Sequence, residues 1–341
     1  MSISKRLLIL TKLHKPHIGG VEKFTINTIN ILHKKGFSIT IITEQFENNL
    51  PIYEITHNHE IYRIPIFKIK EKDKKYQIWK WVNDNRNLLN KTDYVHVNDV
   101  YYWLFLWKLL PVNWGRKVYL TFYGWEGIYP IPPKNILVRK ISEKMASGNI
   151  CIGDFIAKWY HTKPDIVSYG GVNPPQYPIS DENILFYSGR LAPDTGFDQA
   201  VALYSHLKKH FGWKLTVAGD GPTRIFAPKD ARMLGFVPEP EKYLANCRFA
   251  FTTGYLGILE AMIYRKLVIA TFDNPVKKDY LEMHPMASNM VIGESSVDVE
   301  NKLKNLSPSR IDSMIESAYQ WARQQSWEKF ANQHLQLWSR S

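Results

Sequence analysis

Cysteine is nearly absent: Cys151 and Cys247 are the only two in 341 residues, too few for a disulfide framework. Each lies in an apolar run that reads as a buried strand, so both are read as reduced core thiols of a cytoplasmic protein. Long hydrophobic runs are missing as well. The stretch Leu7-Leu8-Ile9-Leu10 breaks at Lys12, too soon for a signal sequence. The longest apolar segment, residues 101–112, is interrupted by Lys108 and Pro111 and falls short of the about 20 residues that span a bilayer. No Asp-x-Asp follows a strand, so no metal and no cofactor is indicated, and Asp298-Val299-Glu300 reads as a helix start.

Negative charge is scarce in one half only. Residues 1–170 carry 25 basic and 14 acidic side chains, a net of +11, whereas residues 171–341 carry 19 and 18. A one-sided positive field attracts phosphates, on a lipid head group, a nucleic acid or a phosphorylated acceptor alike. What is abundant is core material: 45% of the chain is hydrophobic and 13% aromatic, over a length that one hydrophobic core rarely serves.

Two α/β domains are expected. Residues 6–10 form a strand, Gly19-Gly20 a loop, residues 21–33 an amphipathic helix stopped by Gly36, and residues 38–43 a second buried strand. Further strands are predicted at 61–64, 94–97, 118–122 and 149–152, making residues 1–171 a doubly wound domain. Three prolines in Val172-Asn173-Pro174-Pro175-Gln176-Tyr177-Pro178 place a linker at 172–182. The pattern restarts over 183–320 with strands at 184–188, 214–218, 249–252 and 268–271 and helices at 197–210 and 256–263. A closing helix within 321–341 is expected to pack back on the first domain.

Four glycine turns stand where strands meet helices. Gly19-Gly20-Val21-Glu22 lets backbone approach a ligand and presents amides at a helix N-terminus, although taken alone it describes a plain turn better. Gly189-Arg190-Leu191 sets an arginine just past a strand's carboxyl end, where its planar fork suits a diphosphate, or where it is simply a solvated loop residue. Gly219-Asp220-Gly221-Pro222 and Leu234-Gly235-Phe236-Val237 follow. In Thr252-Thr253-Gly254-Tyr255-Leu256-Gly257-Ile258-Leu259-Glu260, a strand passes into an apolar helix whose Glu260 needs a partner. Two ribose hydroxyls would serve, and so would a neighbouring cation.

In this order the motifs, together with Gly170-Gly171-Val172-Asn173 and the closing Ser326-Trp327-Glu328-Lys329-Phe330, resemble the retaining GT-B glycosyltransferases of glycosyltransferase family four. The resemblance spans nearly the whole chain and is clearest over 165–275. It implies an α/β fold of two Rossmann-like domains facing a cleft and transfer of a hexose from a nucleotide-sugar donor to an acceptor with retained anomeric configuration. Carried over by motif, Arg190 meets the donor diphosphate, Glu260 the ribose, and the backbone of Phe236 and Val237 the base. Gly19, Gly20, Gly189, Thr195, Gly219, Thr252, Gly254, Tyr255 and Leu256 complete the donor side. On the acceptor side stand His96, Tyr123 and Glu126.

Three family contacts are changed. A glutamate usually precedes Glu260 where this chain has Thr252, a lysine usually follows the arginine where it has Thr195, and a histidine usually stands where it has Tyr123. Either the enzyme has diverged, or the scaffold has retired into a binding module for nucleic acid or protein. No recognised nucleic-acid module is present, which disfavours nucleic acid.

Between residues 63 and 91 nine basic residues and three acidic ones are interleaved with Tyr76, Trp79 and Trp81. A helix over 74–90 would align Ile78, Trp81, Val82, Leu88 and Leu89 as an apolar stripe with lysines at its edge. Such a surface suits peripheral contact with an anionic membrane and a glycan or lipid-linked acceptor, or else the stripe is core packing.

Overall fold

The computed structural model describes residues 5–340. It divides into two compact units, Met1–Ser168 with Trp327–Ser341, and Tyr169–Ser326. The first holds β1 (Lys5–Thr11), β2 (Phe37–Glu44), β3 (Tyr53–Ile55), β4 (Glu60–Ile64), β5 (Tyr94–Asn98), β6 (Val118–Phe122), β7 (Gly148–Ile152) and β8 (Ile166–Ser168). Their order is β3-β4-β2-β1-β5-β6-β7-β8, parallel throughout except for β3 against β4. Strands covered on both faces read as continuous apolar runs, and Leu7, Leu8, Leu10, Val97, Leu120 and Ile150 are fully buried.

Helices α1 (Gly20–Lys34), α2 (Glu71–Asp84), α3 (Arg86–Asn90), α4 (Phe105–Leu109), α5 (Pro133–Met145) and α6 (Phe155–Tyr160) belong to this unit. The single helix expected over 74–90 is broken at Asn85, which ends α2 and precedes α3. Its stripe is mostly core: Ile78, Val82 and Leu89 are buried, Trp81 and Leu88 are half-buried, and at its edge the Trp79 indole donates to the Tyr102 carbonyl at 2.7 Å. Most of the stripe is therefore spent on packing.

The second unit holds β9 (Glu182–Ser188), β10 (Lys214–Ala218), β11 (Arg232–Gly235), β12 (Cys247–Phe251), β13 (Leu267–Thr271) and β14 (Val291–Gly293), all parallel in the order β11-β10-β9-β12-β13-β14. Helices α7 (Phe197–Phe211), α8 (Glu241–Leu244), α9 (Tyr255–Ile263), α10 (Pro275–Glu282), α11 (Ser296–Lys304) and α12 (Pro308–Ala322) accompany it. Asp298 stands in the first turn of α11, capped by the Ser295 hydroxyl.

The expected linker is folded onto the second unit. The Ser180 amide donates to the Ala245 carbonyl at 3.0 Å, the Gln176 amide to the Tyr264 hydroxyl at 3.0 Å, and the buried Lys266 ammonium to the Ser180 carbonyl at 2.7 Å. Prolines forbid helix here but do not prevent docking through the remaining backbone groups, so the division falls at residue 168 rather than 171. The chain returns to the first unit at Trp327, where α13 (Trp327–Ser339) packs on α1, its Trp327 and Phe330 rings 5.5 and 5.1 Å from Phe24.

By this division the first unit carries 27 basic and 15 acidic residues, a net of +12, and the second carries 17 of each sign. The whole net charge resides in one unit. Both cysteines are buried, and desolvation pushes each thiol up to about 12. Among the described residues no helix is long and apolar enough to cross a membrane.

Candidate functional site

In the second unit the strand order reverses direction at β9 and β12, and open parallel sheets bind ligands beyond the carboxyl ends of such strands. A pocket of about 300 Å³, counting its open mouth, lies there, lined by Ser188, Glu241, Thr252, Gly257 and Glu260 over Phe186 and Phe251. Glu260 projects into it half-buried from α9.

The loop after β9 is built from its own backbone. Gly189 (φ 146°) leaves the strand, and the exposed Arg190 follows. The Tyr187 hydroxyl donates to the Arg190 carbonyl at 3.1 Å. Thr195 turns inward: its hydroxyl lies 2.9 and 2.6 Å from the Arg190 and Ala192 carbonyls and accepts from the Ala192 amide at 3.2 Å. Its side chain holds the loop rather than facing a ligand.

Gly219 has a structural reason. Its φ is 150°, its amide donates to the Gly235 carbonyl at 2.7 Å, and an added Cβ would stand 1.8 Å from the Gly189 carbonyl oxygen. The Gly219 side of the turn is thus filled by the neighbouring loop's backbone, so packing alone accounts for a glycine here. Gly219→Ala is expected to cost ~3 kcal/mol or more through overlap and strain. Thermal unfolding checks this, and an unchanged midpoint would contradict it.

Past β12, Thr252 is buried, and a Cβ at Gly257 would lie 2.2 Å from its hydroxyl oxygen, so Gly257 makes room for it. Gly254 opens α9 with free space where a Cβ would be, and Leu256 is half-buried in the first turn. Tyr255 is corrected. Its ring stacks on Tyr280 with centroids 4.0 Å apart, its hydroxyl donates to the Tyr280 carbonyl, and its amide donates to the Tyr280 hydroxyl, both at 2.7 Å. It belongs to the core. Beyond β11, Phe236 is 69% exposed and Val237 half-buried.

Sequence reading missed Lys277. From α10 its ammonium donates to the Thr253 carbonyl at 2.7 Å, and the Thr253 hydroxyl donates to the Thr195 carbonyl at 3.3 Å. A cation therefore stands beside the Thr253-Gly254 turn, two contacts from the position that lacks a lysine. Its distance along the chain hid it.

In the first unit the strand order reverses at β1 and β5. At Gly19 an added Cβ would lie 2.3 Å from the Glu22 carboxylate, which is buried and pairs with His17 at 3.2 Å. The protein's own anion sits over the Gly19-Gly20 turn. His96 is buried: it accepts at Nδ1 from the Trp338 indole at 3.3 Å, so its Nε2 proton faces the Thr121 hydroxyl at 2.8 Å. With both nitrogens engaged it is a core histidine, not an acceptor contact. Tyr123 also turns inward, its hydroxyl 3.4 Å from Asn98 Oδ1 and its ring edge-on to Phe24. Burial, then the Asp99 carboxylate, raise its phenol far above the ordinary range, so it can donate but is no base. Glu126 is held by Arg139 at 3.1 Å and by the Tyr160 hydroxyl.

Asp99 is the group that sequence reading passed over on this side. It follows β5 at a left-handed φ of 61°, accepts from the Tyr123 amide at 3.1 Å, and is solvent-accessible. Desolvation by surrounding protein raises its carboxyl to about 6 against the pull of Arg139. The only sequence signal was a polar doublet, Asn98-Asp99, closing an apolar strand.

Among the described residues no cluster of three His, Cys, Asp or Glu could hold a metal. Residues 18–173 match Glycosyltransferase Family 4. A Saccharomyces cerevisiae relative, the phosphatidylinositol N-acetylglucosaminyltransferase GPI3 subunit, is 23% identical over 245 residues, 64% of this chain and 54% of its own. The match thus spans about half the length of that relative. Among solved structures, sucrose-phosphate synthase of Thermosynechococcus elongatus superposes with a TM-score of 0.76 at 15% identity, covering 98% of both chains. Anabaena Alr3699/HepE, solved with UDP and glucose, gives 0.69 at 15% identity over 97% of this chain and 98% of that one. WaaG, a glycosyltransferase of lipopolysaccharide biosynthesis, gives 0.66 at 13% over 96% and 98%.

Proposed function

From a chain that resembles the GT-B glycosyltransferases of family four, in sequence over residues 18–173 and in fold throughout, we propose that it transfers a hexose from a nucleoside diphosphate to a glycan or lipid-linked acceptor with retention. The observation that carries this is the pocket at the β9/β12 reversal, which Glu260 lines, with Arg190 in the turn after β9 and Lys277 on the carbonyl of Thr253 in the turn after β12. Glu260 takes the ribose hydroxyls, the backbone at Phe236 and Val237 the base, and Arg190 with Lys277 the diphosphate. The basic first unit takes the acceptor. Free buried thiols and the positive unit suit a cytoplasmic protein working at an anionic membrane.

Retention follows from a front-side displacement. The bond from the anomeric carbon to the diphosphate oxygen breaks, the acceptor oxygen bonds to the same face, and its proton passes to the departing phosphate. Cations on the diphosphate stabilise the charge that develops on the leaving group, and no protein nucleophile is required. Asp99, titrating near neutrality, suits an acceptor hydroxyl held in the first unit.

Calorimetry with UDP, GDP and ADP tests the reading. One nucleotide is expected to bind selectively. Binding of none, by folded protein, would favour the retired scaffold. Lys277→Met is expected to weaken that binding about tenfold, one charge-assisted hydrogen bond's worth, with only a small fall in melting temperature from the lost bond to the Thr253 carbonyl. Unchanged affinity would remove Lys277 from the diphosphate site.

A further inference from the structure

The segment from Phe105 to Lys117 in the first unit is apolar on both sides. Trp103, Leu104 and Trp107 are buried beneath it, while Leu106, Leu109, Leu110, Val112 and Trp114 are 49, 61, 40, 82 and 68% exposed. Five large apolar side chains within nine residues displayed to water form a patch of the kind that marks an interaction site.

The polar groups of this segment are turned inward to hold its shape. Lys108, itself buried, spans the turn with its ammonium 3.3 and 3.2 Å from the Asn113 and Trp114 carbonyls and also against that of Arg116. The Asn113 amide donates to the Trp107 carbonyl at 2.8 Å and the Trp114 indole to the Leu109 carbonyl at 3.1 Å. The segment is thus a preformed knuckle, its turn braced from within by Lys108 and Asn113 and its apolar tips outward.

Its rim is cationic. Arg116 and Lys117 follow directly and are exposed, and α2, which packs against α4, carries exposed Lys72, Lys75 and Lys80 beside a 56% exposed Tyr76, with Glu71, Asp73 and Asp84 exposed on the same helix. The unit as a whole holds the protein's entire net charge of +12. We propose that this knuckle, Leu106–Trp114 with its lysine rim, docks the protein on an anionic lipid bilayer, the apolar tips entering the head-group boundary and the lysines meeting lipid phosphates. The charge of the rim selects a lipid surface over an apolar groove on another protein. The site replaces the α2 stripe, most of which the core consumes, and it stands independently of the transferase reading.

Flotation of the full chain with phosphatidylcholine vesicles, with and without phosphatidylglycerol, tests it. Binding is expected only with phosphatidylglycerol and should fall as salt rises. Leu109→Ser with Val112→Ser should reduce it at least tenfold, leaving circular dichroism and nucleotide binding as in the native chain, because both side chains point to water. Lys75→Glu with Lys80→Glu should also weaken it. Undiminished flotation of the serine variant, absence of native binding at low salt, or a dimer in sedimentation equilibrium that the serine variant abolishes would each overturn the proposal, the last by identifying a second copy as the occupant. Loss of flotation with nucleotide binding retained separates this surface from the donor pocket.

Discussion

Between pH 6.5 and about 4 the protein is expected to lose stability at roughly 4 kcal/mol per pH unit. Burial lowers His14 to about 3, His59 to about 4, His284 to about 3 and His334 to about 4, and it drives His96 well below its ordinary value. Each ring is neutral in the folded chain at a pH where the unfolded chain, with histidine near 6.5, takes up a proton. The stabilising contribution is therefore complete above 6.5 and is lost as pH falls toward 4. Two carboxyls oppose the trend, because Asp99, raised to about 6, and Glu44, also raised by burial, bind protons in the folded state first.

Five protons against two leaves about three, and each contributes about 1.4 kcal/mol per pH unit. Against a total stability of roughly 5–15 kcal/mol, a drop from pH 6.5 to 5 removes about 6 kcal/mol, enough to unfold a protein at the low end of that range. Guanidinium unfolding at pH 7, 6 and 5 measures the slope. His334→Phe, which removes one titrating ring from beside His96 at 4.7 Å, should flatten it by about one proton. A slope below about 1 kcal/mol per unit would mean that the buried rings are not held neutral.

The same histidines show where sequence reading stops. Strands covered by helices on both faces are continuous apolar runs, so most central strands were legible, whereas β3, β8 and β14 are three residues each and too short to show a pattern. Orientation was not legible. His96 and Asn98 lie two apart and so share a face of β5, and both line a small cavity with Thr25, Tyr123, His334 and Trp338. What seals that cavity is α13, more than two hundred residues further along, and no local signal announces it. Glycine pairs were visible as turns, but only three-dimensional structure shows that Gly219 and Gly221 face the carbonyls of Gly189 and Leu191. Thr195 and Tyr123 had been noted as missing contacts. Lys277, joined to Thr195 through Thr253, and Asp99, which accepts from the Tyr123 amide, come from other parts of the chain and could be found only after folding.

Glu260→Gln is expected to weaken nucleotide binding by about 10–100-fold without unfolding the chain. The side chain keeps its size and its place on α9, where it lines the pocket with Ser188 and Thr252. A carboxylate accepts from two ribose hydroxyls at once, whereas a carboxamide offers one acceptor oxygen and no charge. Losing one charge-assisted hydrogen bond and weakening the other amounts to about 1.5–3 kcal/mol. Because the ribose does not change during sugar transfer, this contact is equally strong in the ground and transition states. Its loss should therefore raise KM for the nucleotide-sugar while kcat stays near the native value. Lys277→Met should behave differently, since charge builds on the diphosphate as the bond breaks, and kcat should fall along with affinity. Calorimetry and steady-state kinetics on the two variants separate binding from bond breaking. Native nucleotide affinity in folded Glu260→Gln would remove the carboxylate from the ribose and with it the placement of the donor at the β9/β12 reversal.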